Sequence, residues 1–163
     1  MSETTERLAQ RLHQEGQKTA AFFRALAPQQ LDQQLYVDGS QWTAHQLLAH
    51  FVTAESGICA LLENILAGGQ GVAQNFDIDA YNERHVAALS QASLDDLLKQ
   101  FIEQRQASIA LVQRMQPEDL SRVGRHPFLG PASVEDILKL IYRHNQIHQR
   151  DVRKLLSGDG DKG

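Results

Sequence analysis

The sequence predicts an all-α fold, a four-helix bundle, on three observations. Four segments of about 22 residues each carry one stripe of apolar side chains at helical spacing and a polar outer face. Hydroxyl residues stand where helices would begin, and Pro or Gly stand where they would end. The 163 residues, 42% of them apolar, supply one domain with material for a real core.

The first helix is expected from about Thr4 to Leu26, stopping at Pro28, on the stripe Leu8, Leu12, Phe22, Phe23 and Leu26. Glu15 and Thr19 fall on that stripe where leucine would be expected, so each could face a cavity, and Glu15 could instead sit at the stripe's edge. Residues 28–41 connect, with Asp38-Gly39 as a turn signal. Thr43-Ala44-His45-Gln46 then matches a capping box and opens the second helix, which runs to about Ala67 and ends at Gly68-Gly69-Gln70-Gly71. Its stripe is Leu47, Phe51, Ala54, Ile58, Leu61 and Ile65, with His50 beside Phe51.

The connection 71–91 is long enough to serve as a lid or wall. It is expected to hold a short extra helix with Asp79 as cap and Tyr81, Val86 and Leu89 as a small apolar face. Ser93 opens the third helix on the stripe Leu94, Leu98, Phe101, Ser108, Val112 and Met115, with Arg105 on the same stripe and Pro117 at its end. A further connection, 117–132, contains Gly124, Pro127, Gly130 and Pro131; Ser133 caps the fourth helix, which lasts to about Leu156. The bundle domain is therefore read as 1–156, and 157–163, SGDGDKG, has the composition of a disordered tail. Two long connections argue against plain up-down-up-down order.

A net charge of -4 and a pI near 5.9 provide no basic stripe to neutralise phosphates, so no nucleic-acid partner is expected. Arg143, Arg150, Arg153 and Lys154 read as the charged flank of a solvated helix. The single cysteine, Cys59, allows no internal disulfide and fits a reducing compartment. There is no signal-like apolar region and no run near 18 apolar residues, so no membrane partner and a cytoplasmic location are expected.

The chemistry gathers in Tyr142 to Lys154, YRHNQIHQRDVRK. His144 and His148 stand four positions apart, which brings both imidazoles back to within about 40° on one helix face. That face also carries Val134, Ile137, Leu138, Ile141, Val152 and Leu155. Either two core histidines are hydrogen-bonded there, or the core holds something that takes two nitrogens, as an i, i+4 His pair can share one ion. His50 is the third candidate. His45 and His13 belong to other faces, His85 and His126 lie in connections and could wall a pocket, and Cys59 is about 180° from His50. There is no Glu-x-x-His, which removes a di-iron carboxylate site, and no Walker, dinucleotide or G-x-S-x-G motif.

Three stretches, WTAHQLLAHFVTAES, FDIDAYNERHVAALSQAS and HPFLGPASVEDILKLIYRHNQIHQRDVRKLL, resemble the DinB-like (DinB/YfiT) superfamily of metal-dependent enzymes. The resemblance runs from the first helix to Leu156, and its most specific part is His50 followed by the His144, His148 pair. It implies up-down-down-up connectivity and a divalent transition-metal ion, zinc or nickel, held by the three imidazoles at one end of the bundle. Some relatives are thiol S-transferases using bacillithiol or mycothiol. A mycothiol-dependent maleylpyruvate isomerase branch departs from this chain, having a glutamate where His144 stands.

The activity implied is S-transfer from a low-molecular-weight thiol to a small-molecule electrophile. The competing readings are metal-dependent hydrolysis and a non-catalytic metal-binding or ligand-binding bundle. Homodimers are also implied by the resemblance. Arg105, as a clamp for a cosubstrate carboxylate or half of a structural ion pair, and Glu15 are the candidate catalytic residues. Asp79 and Asn82 are candidates to orient a ligand imidazole through its second nitrogen.

Overall fold

A computed structural model describes residues 4–36 and 39–158. Asp38 of the expected turn signal and residues 159–163 of the expected tail lie outside the described residues. The elements are α1 (Thr5–Arg24), α2 (Pro28–Leu31), α3 (Ala44–Leu66), α4 (Ile78–Ala88), α5 (Leu94–Gln113), a 3-10 turn (Pro117–Ser121), β1 (Val123–His126), β2 (Gly130–Ser133) and α6 (Val134–Leu156).

Caps set the starts of the four long helices. Thr4, Thr43, Ser93 and Ser133 are extended, and each hydroxyl accepts the amide three residues on. Each such bond stabilises by about 1 kcal/mol. The short helix expected in the 71–91 connection is α4, but its cap is Asp77, whose carboxylate takes the Ala80 amide; Asp79 lies inside the first turn. Both are acidic and two apart, and only Asp77 has the extended backbone that lets its side chain turn back.

The 117–132 connection is more ordered than its composition predicts. After the 3-10 turn, β1 and β2 pair antiparallel from Val123↔Ser133 to His126↔Gly130. Four-residue strands built from Gly, Pro and polar residues carry too few alternations to be read as strands. Backbone bonds from Val72 to Arg125 and from Arg125 to Gln70 join this hairpin to the chain leaving α3. Gly71, at φ 89°, lies flat against the Arg125 backbone, where a Cβ has no room.

The direction of each helix follows from two apolar clusters. One joins the start of α1 (Leu8, Leu12) to the ends of α3 (Leu61, Ile65) and α5 (Leu111, Val112) and the start of α6 (Val134, Ile137). The other joins the end of α1 (Phe23) to the starts of α3 (Leu47, Phe51) and α5 (Leu97, Phe101) and the end of α6 (Val152). So α1 and α6 run one way and α3 and α5 the other, which is up-down-down-up. Because α3 and α5 are parallel, the chain must return along the bundle between them, and α4 lies on that return path.

Between the clusters lies a polar layer, buried except where Gln146 reaches the surface. Gln149 donates to Thr19 at 2.7 Å, Gln146 donates to Glu15 at 3.0 Å, and Arg105 pairs with Glu55 at 2.7 Å. Arg105 also donates to the Leu12 carbonyl at 2.9 Å, passing so close to α1 that a Cβ on Gly16 would meet its Cγ and Nη1 at 2.9 Å. Helix propensity favours alanine over glycine by about 1 kcal/mol. Here the pinned guanidinium reverses the sign, so Gly16→Ala is expected to destabilise by about 1–3 kcal/mol, read as a lower urea midpoint. A raised midpoint would show that Arg105 is free to move.

Candidate metal centre

His50 comes from the second turn of α3, and His144 and His148 from the C-terminal half of α6. One ligand atom from each lies within 4.8 Å of the others. The face of α6 is not quite the one read from spacing. Its core stripe continues through Asn145 and Gln149, both buried, whereas His144 and His148 flank that stripe, half-buried. The histidines therefore line the edge of a cavity of about 690 Å³.

The Nε2 atoms of His50 and His144 face each other at 3.1 Å. Tyr36 fixes the third ring. Its hydroxyl donates to Asp151 Oδ2 at 3.1 Å and sits 2.6 Å from His148 Nδ1. Because the phenol's one proton goes to the carboxylate, His148 is assigned the Nδ1–H tautomer, leaving its Nε2 lone pair unprotonated. Burial and the neighbouring Asp151 push the Tyr36 phenol well above its ordinary pKa, so it remains a donor. Trp42 packs on His50 with ring centroids 4.6 Å apart.

Burial also keeps the imidazoles neutral. It lowers His50 from 6.5 to about 3, with a further push from His148. His144 is lowered well below its ordinary value by burial, then by the charges of His50, His148 and His126. Burial lowers His148, partly offset by Asp151.

Above pH 6.5 folded and unfolded chains alike carry these rings neutral. As the pH falls from 6.5 towards 3, the unfolded chain takes up a proton that folded His50 refuses, so stability is lost. The expected loss is about 1.4 kcal/mol per pH unit for this one group. Urea melts of chelator-treated protein at about pH 7 and about pH 5.5 measure it, and equal midpoints would contradict the burial of the ring.

Three neutral imidazoles whose nitrogens converge are the donor set of a divalent transition metal, which would take the place of the proton shared between His50 and His144. Metal–nitrogen bonds of about 2.0–2.1 Å in tetrahedral geometry separate donor nitrogens by about 3.3 Å. The His50–His144 pair is already near that spacing, so the residues fit such an ion.

The other sequence candidates are placed elsewhere. Arg105 and Glu15 do not line the cavity. Arg105 makes two bonds to Glu55, at 2.7 and 3.1 Å, which is the structural ion pair rather than the carboxylate clamp. Glu15 is engaged by Gln146, Lys18 and Arg11. Asp79 and Asn82 do line the cavity. The expected bond from Asn82 to a ring nitrogen is not made, since Asn82 Oδ1 and His50 Nδ1 are both buried without a partner. Cys59 is packed and partly exposed beside Ser108 at 3.1 Å, with burial raising its thiol pKa.

Sequence reasoning missed Tyr36, Trp42 and Asp151. Asp151, one helical turn beyond His148, carried a usable i, i+3 signal; the two aromatics sit in irregular chain, where no periodicity points inward.

A profile of the DinB superfamily matches residues 11–152. A search of curated proteins found no match. Among solved structures the chain is similar to YfiT from Bacillus subtilis, described as a probable metal-dependent hydrolase with an unusual four-helix bundle topology. That likeness has a TM-score of 0.77 at 18% identity, over 96% of this chain and 87% of that one. It is similar also to a mycothiol-dependent maleylpyruvate isomerase, with TM-score 0.74 and 14% identity over 92% of this chain and 61% of that one. A third likeness is to the colibactin self-resistance protein ClbS in complex with dsDNA, with TM-score 0.73 and 12% identity over 96% and 97% of the two chains. At these identities the likenesses speak for the fold alone.

Proposed function

The chain belongs to the DinB superfamily, and on that premise we propose that it is a metal-dependent thiol S-transferase. His50, His144 and His148 hold one divalent transition-metal ion, zinc or nickel. The cosubstrate is a low-molecular-weight thiol of the bacillithiol or mycothiol type, and the acceptor is a small electrophile. The observation that carries the reading is the convergence of three neutral imidazoles, His50 buried and His144 and His148 half-buried, on the edge of a large cavity.

A divalent ion on three neutral imidazoles keeps its full charge and an open position, which favours thiolate over thiol at neutral pH. The chain's own groups do the rest. Tyr36 and Asp151 hold the His148 ring in the tautomer that presents Nε2. Ile58, Leu61, Phe76 and Ile147 give the cavity apolar walls beside the three histidines. The thiol's proton leaves to solvent, its sulfur forms the new S–C bond, and the acceptor's leaving group departs with the bonding pair. The choice of a thiol follows the resemblance to the superfamily's S-transferases; the similar isomerase is itself described as mycothiol-dependent.

One observation favours a second reading, hydrolysis, in which water takes the place of the thiol. No Lys or Arg is among the cavity's lining residues to hold an acidic cosubstrate, and YfiT is described as a probable metal-dependent hydrolase. Incubation of untagged, metal-loaded protein with a reactive aryl halide and each thiol in turn separates the two. Thiol-dependent conjugate is expected; product formed at the same rate without thiol would replace transfer by hydrolysis.

Tyr36→Phe removes the His148 Nδ1 partner and is expected to weaken metal binding by about 10–100-fold. Competition with a chromophoric chelator measures this, and unchanged affinity would remove Tyr36 from the site.

A further inference from the structure

The β1–β2 turn dictates the protonation state of His126. The amides of Phe128 and Leu129 both donate to its Nδ1, at 3.0 and 3.1 Å. A ring nitrogen that accepts N–H bonds holds a lone pair, so the proton of the neutral ring sits on Nε2. Burial disfavours the doubly protonated ring, which would in any case break both turn bonds. His126 lines the same cavity as the histidine trio and lies near enough to His144 for its charge to act there. Its Nε2–H is therefore a donor whose tautomer is set before any ligand arrives.

The rest of the wall narrows what that donor meets. Val72, Phe76, Ile78, Phe128, Leu140 and Ile147 contribute apolar surface, and Asp79 is the only charged side chain among the lining residues. Phe76 and Phe128 remain 38% and 81% exposed, although each is large and apolar. A volume of about 690 Å³ is that of a site for a drug-sized molecule. In the metal-free cavity an anion would lose part of its hydration with no cationic side chain to replace it.

We infer that the cavity binds a neutral, largely hydrophobic compound carrying an uncharged oxygen acceptor, and that His126 Nε2–H binds this oxygen beside the histidine trio. The inference deepens the proposed function by giving the class of its electrophile, and it rests on this cavity being the reaction site. Polarisation by the N–H would draw electron density from the carbon bonded to that oxygen.

Calorimetric titration with three probes of similar shape tests it: acetylnaphthalene, isopropylnaphthalene and naphthoate. The protein is used as purified and again after chelator treatment. The ketone is expected to bind about five-fold tighter than the hydrocarbon, the worth of one hydrogen bond, and naphthoate weakest in chelator-treated protein. In His126→Asn the amide oxygen can still accept from the turn, but no donor reaches the Nε2 position, so the ketone's advantage is expected to vanish.

Equal binding of ketone and hydrocarbon by the wild type, an advantage that survives in His126→Asn, or tight naphthoate binding after chelation would each overturn the inference. Should the variant fail to fold, nitrogen-edited NMR of the wild type decides the tautomer, and a proton on His126 Nδ1 would equally overturn it. Absence of metal from the untagged protein would instead sink the enzyme reading and leave the probe ranking intact.

Discussion

His144→Ala is expected to remove the metal ion and leave the bundle folded. Elemental analysis of untagged wild type should find about one transition-metal ion per chain, and the variant essentially none. Apparent zinc-binding free energies of about 10–16 kcal/mol for four-ligand sites put the loss of one imidazole near 3–4 kcal/mol, a fall of about 10²–10³-fold in affinity. His144 flanks the core stripe of α6, so its truncation opens space towards the cavity more than inside the core. Zinc at about a thousand times its Kd would stabilise wild type by about 4 kcal/mol. The same zinc concentration would stabilise the variant by only about 0.4–1.4 kcal/mol, so a large thermal shift is expected in wild type and a small one in the variant. A variant that keeps its ion would overturn the ligand assignment.

Glu55→Ala is expected to be the most damaging single substitution for stability. Glu55 is buried, takes two bonds from Arg105 and accepts another from Ser108 at 2.7 Å. Its removal leaves the Arg105 guanidinium, 4% exposed, with the Leu12 carbonyl as its remaining hydrogen-bond acceptor. Breaking a buried pair in this way costs about 3–5 kcal/mol, whereas replacing both members with apolar residues of similar volume is often neutral. The double variant Glu55→Leu, Arg105→Met should therefore recover most of the urea midpoint lost by Glu55→Ala. Metal content should be unchanged throughout, because neither residue lines the cavity. Additive losses in the double variant would show that the pair contributes net stability.

The helices were legible because their signals are local. Thr43 with Gln46, Ser93 and Ser133 marked three starts that the fold keeps. Direction was less legible from the residues themselves. It depends on which helix ends share a cluster, and no single helix encodes that. Glu55 escaped notice because α3 is buried on several sides, from Ala44 through Thr53 almost without a break, so one stripe drawn through Ala54 and Ile58 could not rank its neighbours. Arg105 was conspicuous on its stripe for the opposite reason, as a charge among apolar residues. Its partner lies 50 positions away on another helix, beyond the reach of periodicity. His144 and His148 were found by spacing, yet their assignment to the core face was one position off. Asn145 and Gln149 occupy it instead, and an apolar stripe says little about where polar residues fall within its continuation.

The parallel running of α1 with α6, and of α3 with α5, also has an electrostatic side. Parallel neighbours set like ends together, so the partial charges of their helix termini add instead of cancelling. At the pole that holds Phe23 and Val152, the C-termini of α1 and α6 lie side by side and together present a negative field. Arg24 stands in the last turn of α1, and Arg153 and Lys154 in the last turn of α6, with Arg153 4.9 Å above the Phe22 ring of α1. Across the same pole, Asp95 and Asp96 meet the positive start of α5. At about 0.3–1 kcal/mol per charge, these residues offset a polarity that the chain order itself creates. Helix direction thus gives Arg24, Arg153 and Lys154 a role within the fold itself.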